Sequence, residues 1–450
     1  MMYRILAILF ASLFLLSGCT SYTDSIKDEE RSTSQTDTST EVPKDESSDI
    51  LHTYDYSVAA AFDIITRGSG NRNGFYQIIP NENGYANLMY TDYTTASQIY
   101  LCSTPNCEHN SETCTSYIDN TGFSVFPAVY KEKLFLIYSS FSQVTSSKIE
   151  CMDMNGNNSH TLFTFDPSIT LNDGAIVGND EIVISGYKID DSGESIQSIP
   201  FIGAISINSG EYREIYSLPD TGEKIQQNLF LRGVSDTGFI LKTISFETGA
   251  DASDSTSRIF ELSFDGKKET ELLSFTGNTC FEEHNGKELI YLRFDSNSVS
   301  LCKRTNQSSQ EDVVVENVCN LPCVHETDLP FNQDNLYIVG FVDDYVLLNH
   351  LYDDGYDEDE NIFLRYAQYA VNLSDGAAVE ITLSNTVMAT QKPINIVAKY
   401  DDSLLVDAVE EVVNGIAYRR TGIISVQDYL HSVPAYTMIQ SPIEETLSLT

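Results

Sequence analysis

LFLIY (134–138), EIVIS (181–185), GFILK (238–242), LIYLRF (289–294), YVLLN (345–349) and SLLVD (403–407) are six versions of one short apolar strand. Each is followed by a hairpin loop and a strand of alternating character that ends in a tight turn: IECMDMNG (149–156), AISINSG (204–210), IFELSFDG (259–266), VSLCKRTN (299–306), YAVNLSDG (369–376) and GIISVQD (422–428). An earlier copy, FYQII (75–79) then NLMYTDY (87–93), makes seven. β-Branched and aromatic residues between Gly, Asn and Asp turns are strand chemistry, and long helical periodicity is absent from Leu51 onward. The turns near Asp92, Asn155, Ser209, Asp265, Asn306, Asp375 and Asp428 lie about forty to seventy residues apart. Four short strands per unit at that period predict an all-β chain folded as a β-propeller of about seven four-stranded blades, six or eight being the neighbouring counts. A pair of β-sandwiches is the competing architecture, since sandwiches also repeat strands.

The ring is expected over residues 51–440, followed by a C-terminal tail at 441–450. In a closed ring the first strand, around Val58 to Thr66, is placed to complete the last blade. Units of this kind resemble the blades of TolB-like and WD40-like propellers, although the Trp-Asp and Gly-His marks of WD40 repeats are missing.

Ahead of the repeats, Arg4 precedes the apolar run Ile5 to Leu16 and then Ser17-Gly18-Cys19. A short apolar stretch behind a positive charge reads as a secretory signal, too short to span a bilayer stably. Leu16-Ser17-Gly18-Cys19 resembles the bacterial lipobox. That resemblance implies a signal peptide over residues 1–18, cleavage before Cys19, a diacylglyceryl thioether on its sulfur, and a lipid-anchored protein on the extracytoplasmic face of the cell membrane. Residues 19–50 then hold Ser, Thr, Asp and Glu with almost no apolar side chains. Such a segment cannot offset its conformational entropy by burial and is expected to be a disordered acidic stalk, reaching roughly 30 Å on average.

Lys plus Arg number 26 against 66 Asp plus Glu, a net charge of −40. Such a field repels nucleic acid and anionic surfaces, so no nucleic-acid partner is expected. The hydrophobic share of 41%, with 26 Tyr and 22 Phe, is enough for a large core.

Eight cysteines follow Cys19, and five of them fall in two related segments. YLCSTPNCEHNSETC (100–114) gives Cys102, Cys107, His109 and Cys114; NVCNLPCVHE (317–326) gives Cys319, Cys323 and His325. Both follow the fourth strand of a unit, so both are expected in inter-blade connections on one rim. Three thiolates and an imidazole within thirteen residues can close a tetrahedral zinc shell. The second segment supplies three ligands, with Cys302 or Cys280 nearest in sequence for a fourth. Disulfides among these cysteines are the alternative that export favours, although they leave the repeated Cys-x-His unexplained. In either case the expected role is to staple a loop, because a four-ligand shell leaves no open position for catalysis.

The stretch from Met89 to Tyr117, with Asp92, Tyr93, Leu101, Cys102, Pro105, Asn106, Cys107, His109 and Cys114, resembles a segment shared by a family of lipoproteins from Gram-positive anaerobic gut bacteria, related to proteins with a DUF5050-type propeller. The resemblance covers under a tenth of the chain. It implies a surface-tethered propeller and brings no catalytic residue with it.

LYDDGYDEDENIF (351–363) places Asp353, Asp354, Asp357, Glu358, Asp359 and Glu360 in one hairpin. Asp353, Asp354, Asp357 and Asp359 are candidate calcium ligands, although the spacing matches no complete EF-hand loop and a solvated acidic hairpin explains it as well. No nucleophile elbow, phosphate loop or His-Glu-x-x-His is present. His52, His160, His284, His350 and His431 stand in unrelated contexts and read as packed or surface side chains. The expected function is therefore a binding or scaffolding module for a protein, peptide or small molecule. An extracytoplasmic hydrolase or lyase at the channel mouth is the alternative, and converging inward carboxylates with an Arg or His would be its mark.

Overall fold

The computed structural model describes residues 55–60, 68–81, 84–142, 144–190, 197–219, 225–249, 251–296, 298–306, 310–356, 362–387, 390–413, 416–443 and 445–447. The expected signal peptide, Cys19 and stalk lie outside the described residues, as do Asp357 and Asp359. Within them the chain is a seven-bladed β-propeller, each blade an antiparallel sheet of four strands in sequence order. The second strands of the seven blades are Gly74–Pro80, Lys133–Ser140, Glu181–Asp190, Gly238–Glu247, Glu288–Asp295, Tyr345–Tyr356 and Ser403–Val413. They contain the repeated apolar segments one for one.

Every interface between neighbouring blades has its own apolar cluster. Leu88 with Leu134 fills the first, Phe135 with Phe201 the second, and Phe239 with Phe260 the third. Tyr291, Tyr369 and Tyr429 anchor the next three. Alternation explains the pattern, because period-two side chains leave a radial sheet on both faces and each face meets a neighbour.

The recurring turn glycines have a specific cause. Gly156, Gly210, Gly266 and Gly376 all sit at φ between 69° and 81°. A Cβ at each would come within 3.2 Å of a backbone carbonyl in the outer lane of the preceding blade, at Leu101, Leu162, Ile215 and Val314 respectively. Only glycine meets both demands without strain. Blade 7 departs from the pattern: Val426–Leu430 is a short helix, started where the Ser425 hydroxyl accepts from the Asp428 N–H. An extra hairpin, Ser384–Val387 with Thr390–Pro393, joins blades 6 and 7.

The N-terminal strand corrects the expected closure. Ser57–Ala60 does not complete blade 7; it pairs antiparallel with Ala175–Gly178, the inner strand of blade 3. Its anchor is Tyr56, whose ring meets Phe239 and Phe264 with centroids 5.2 and 4.8 Å away and whose hydroxyl donates to Glu181 at 2.9 Å. The Ser69 hydroxyl donates to the Ala59 carbonyl and accepts from the Val129 N–H, so the strand also touches blades 1 and 2.

Blade 7 instead meets blade 1 through an apolar contact. Tyr93 and Tyr400 stack at 3.6 Å, beside Phe75 and Leu405. Further out, Gln440 bridges to blade 1: the Gln98 N–H donates to its carbonyl at 2.8 Å and its N–H donates to Ala96 at 2.9 Å. The Ser441 hydroxyl, at the start of the expected tail, donates to the Gln98 side chain at 2.7 Å.

Candidate metal centre

The outer lane of blade 1 begins as Ser97–Tyr100 and resumes as Tyr117–Ile118, both paired with the third strand Ala86–Asp92. The intervening chain is an excursion whose base is closed by backbone and hydroxyl bonds. The Leu101 N–H donates to the Leu88 carbonyl at 3.0 Å, and the Leu88 N–H donates to Ser116 at 2.7 Å. The Thr115 hydroxyl donates to the Leu101 carbonyl at 2.6 Å. Two residues inside the excursion, Asn106 and His109, lie at φ 54° and 56°. These left-handed positions turn the chain back on itself twice.

The result is convergence. The ligand atoms of Cys102, Cys107, His109 and Cys114 all lie within 4.8 Å of one another. A tetrahedral zinc shell with sulfur ligands near 2.3 Å needs sulfur separations of about 3.8 Å, so a small contraction closes it. His109 turns Nδ1 to the Cys114 sulfur at 3.2 Å, and its own N–H points to the Cys107 sulfur at 3.4 Å. The imidazole lies flat against Tyr100 at 4.0 Å, and the Asn87 amide holds the His109 carbonyl at 2.9 Å. All eight propeller cysteines are free thiols, and of these four ligands only Cys114 is fully buried.

Electrostatics separate the thiols. Burial pushes Cys102 up, but hydrogen bonds from Thr104 and the neighbouring thiols outweigh it and bring the group down to about 7. Burial, reinforced by Cys102 and Cys107, pushes Cys114 up to about 12. Cys102 therefore loses its proton well before Cys114, and a bound cation would be needed to ionise the two together.

The second segment also follows the fourth strand of its blade, Asp312–Val315 of blade 5. Its side chains do not converge in the same way. Among the described residues, the only set of three or more His, Cys, Asp or Glu placed to share one metal is the first. Cys319 lies within a tight turn, Val318–Asn320, capped by Asn317, and Cys319 and Cys323 pack half-buried against the cluster between blades 5 and 6. His325 turns Nε2 to Glu380 at 3.1 Å and lies flat on Tyr352 at 4.3 Å. Cys280 and Cys302 are buried in the cluster between blades 4 and 5.

Of the acidic hairpin, Asp353 accepts from the Thr327 hydroxyl and from the Asp328 N–H at 3.0 Å, which draws its carboxyl below the usual range. Asp354 pairs with Arg365 at 2.5 Å. Both carboxylates thus already have protein partners.

One charged group at the inner edge of the ring escaped the sequence reading. Arg232, at a bulge in the inner strand of blade 4, meets Glu283 of the next inner strand at 2.5 Å. Burial raises Glu283 although Arg232 opposes it. Glu282, beside it in sequence, is buried against Lys242 at 2.6 Å. The run FEEH carried a signal in two adjacent carboxylates on an inner strand, but no spacing rule supplied the partner.

No family model matches the chain, and no curated protein matches it. Among solved structures it is similar to a puromycin-hydrolysing peptidase of Mycobacterium tuberculosis, at 10% identity and TM-score 0.47, over 87% of this chain and 56% of that one. It is similar to TolB from Acinetobacter baumannii at 10% identity and TM-score 0.33, over 82% and 80% of the two chains. The β-propeller domain of the Trilobed protease from Pyrococcus furiosus aligns at 8% identity and TM-score 0.34, over 68% and 82%. The chain thus spans about half the length of the first peptidase. These are similarities of fold.

Proposed function

We propose that this chain is an extracytoplasmic, lipid-tethered β-propeller that works as a binding or scaffolding module, with zinc at Cys102, Cys107, His109 and Cys114 as a structural staple. The observation that carries the reading is the closed ligand set on an outer lane. Four protein ligands fill a tetrahedral shell and leave no position for a substrate or an activated water. Bound zinc would supply a rigid cross-link between thiolates. The chain's own residues supply the rest: Asn87 fixes the loop and Tyr100 orients the imidazole.

The hydrolase or lyase alternative gains little from the inner edge. Acid–base work needs two groups free to exchange protons at one substrate atom. There, Glu283 and Glu282 are each spent on a cation, Arg232 and Lys242. The tether reading rests on Leu16-Ser17-Gly18-Cys19 behind its apolar run, and the partner is a protein, peptide or small ligand that tolerates a strongly anionic surface.

The test uses the full chain extracted in mild detergent without added metal or reductant. Elemental analysis with thiol counting should find zinc and no disulfide, and Cys114→Ser should lose one zinc per chain. Cys19→Ser should abolish incorporation of labelled palmitate and release the protein into the medium. A disulfide linking cysteines of the first segment would overturn the zinc staple, and membrane retention of unacylated Cys19→Ser would overturn the tether.

A further inference from the structure

His350 is the one imidazole in the described chain that is wholly buried with a ring nitrogen, Nε2, facing no hydrogen-bond partner. A neutral polar atom left so has lost its hydration with nothing in exchange, which is a reason to ask what would satisfy it. Its surroundings supply an answer. His350 lies on the second strand of blade 6 in the same alternation as Leu348 and Tyr352, which pack in the cluster that also takes Cys319 and Cys323. Phe331, from the loop beyond those cysteines, stacks on its ring at 5.0 Å.

The hydrogen bonds around the two imidazoles leave one lone pair free on each. Tyr369 Oη accepts from the His325 N–H at 3.1 Å and stands 3.4 Å from His350 Nδ1. A hydroxyl can accept from Nδ1–H as readily as donate to it, which would leave Nε2 as a lone-pair donor. On His325 the Glu380 carboxylate accepts from Nε2–H, leaving Nδ1, the same nitrogen that His109 turns to the Cys114 thiol. A carboxylate or hydroxyl on the far ring nitrogen is the usual outer-sphere support of a metal-bound histidine.

We propose that Cys319, Cys323, His325 Nδ1 and His350 Nε2 form a second metal site, a Cys2His2 set for zinc or a similar borderline divalent cation, with Glu380 and Tyr369 as its outer support. The site closes on the metal: His325 leaves its stack on Tyr352 while keeping Glu380. It accounts for the second Cys-x-His and for the buried nitrogen together. It is independent of the first centre, which sits on blade 1, whereas this one lies between blades 5 and 6.

The test is cobalt(II) titration of the metal-stripped full chain in detergent under reducing, anaerobic conditions, with zinc counted after exchange. The wild type should bind two equivalents, one with three-thiolate and one with two-thiolate absorption. His350→Leu should bind one, and Cys114→Ser should bind one of the other kind. A merely packed imidazole predicts instead that His350→Leu leaves the metal count unchanged and raises the metal-free melting temperature. One equivalent in the wild type that vanishes in Cys114→Ser overturns the second site and spares the first. None at all overturns both.

Discussion

Single residues show how narrowly the ring is specified. Gly210 combines φ 69° with a carbonyl, Leu162 O, that would lie 2.7 Å from an added Cβ. Gly210→Ala should cost about 2–3 kcal/mol, from left-handed strain plus the outward shift of blade 2's outer strand. Denaturant unfolding would read the change, and a cost below about 0.5 kcal/mol would mean that the turn adjusts freely. His284 makes a different kind of prediction. The Gly286 N–H donates to its Nδ1 at 3.0 Å, and its Nε2 faces Asn306 Oδ1 at 3.2 Å, so the neutral ring is fully used. Burial holds its pKa below the usual range, against the opposing pull of Asn306 and of Glu261 on blade 4. The folded value lies below the unfolded one of about 6.5, so this contribution is complete above that pH and is lost as pH falls through and below it. His284→Asn should flatten the dependence of unfolding free energy on pH between about 7 and 5 relative to wild type. Parallel curves would remove His284 from the account.

At the scale of elements, the second and third strands of each blade were legible because they are buried on both faces and bounded by turns whose glycines are sterically required. The helix at Val426–Leu430 was hidden in GIISVQD, where Ser425 and Asp428 form a cap rather than a turn. Convergence of Cys102, Cys107, His109 and Cys114 was readable from spacing, since all four lie within one excursion. His350 was not, because its meaning depends on a loop some thirty residues earlier in the chain. The N-terminal strand was placed in the wrong blade for a related reason: SVAA carries no register signal, and its position is set by Tyr56. That assignment can be tested. Tyr56→Ala removes the ring from Phe239 and Phe264, while Glu181 keeps Arg213 at 2.7 Å and no buried charge is orphaned. The loss should be about 2 kcal/mol, with amide exchange accelerating in Ser57–Ala60 and Ala175–Gly178 before other blades. Uniform acceleration around the ring would contradict a local anchor.

Over the whole molecule, two features act against each other: a ring whose last interface, among the described residues, has a fully buried apolar cluster of just Phe75, Tyr93 and Leu405, and a net charge of −40. Most cations are already drawn into ion pairs, among them Arg213 with Glu181, Arg258 with Glu269, and Arg293 with Glu311. The excess carboxylates therefore repel one another, and the strain they put on a closed ring falls hardest where packing is thinnest. Screening should then stabilise the fold: raising ionic strength from about 0.01 M to 0.15 M shortens the Debye length from roughly 30 to 8 Å, longer than any ion pair but shorter than the spacing of blades across the ring. The melting temperature should rise by a few degrees over that range, on the order expected for about 1–2 kcal/mol. Tyr400→Ala, which deletes the 3.6 Å stack on Tyr93, should enlarge the rise, because a weaker seam leaves more of the stability to depend on screening. If the exposed pairs dominated instead, salt would lower the melting temperature in both proteins, and the thin seam would carry no special load.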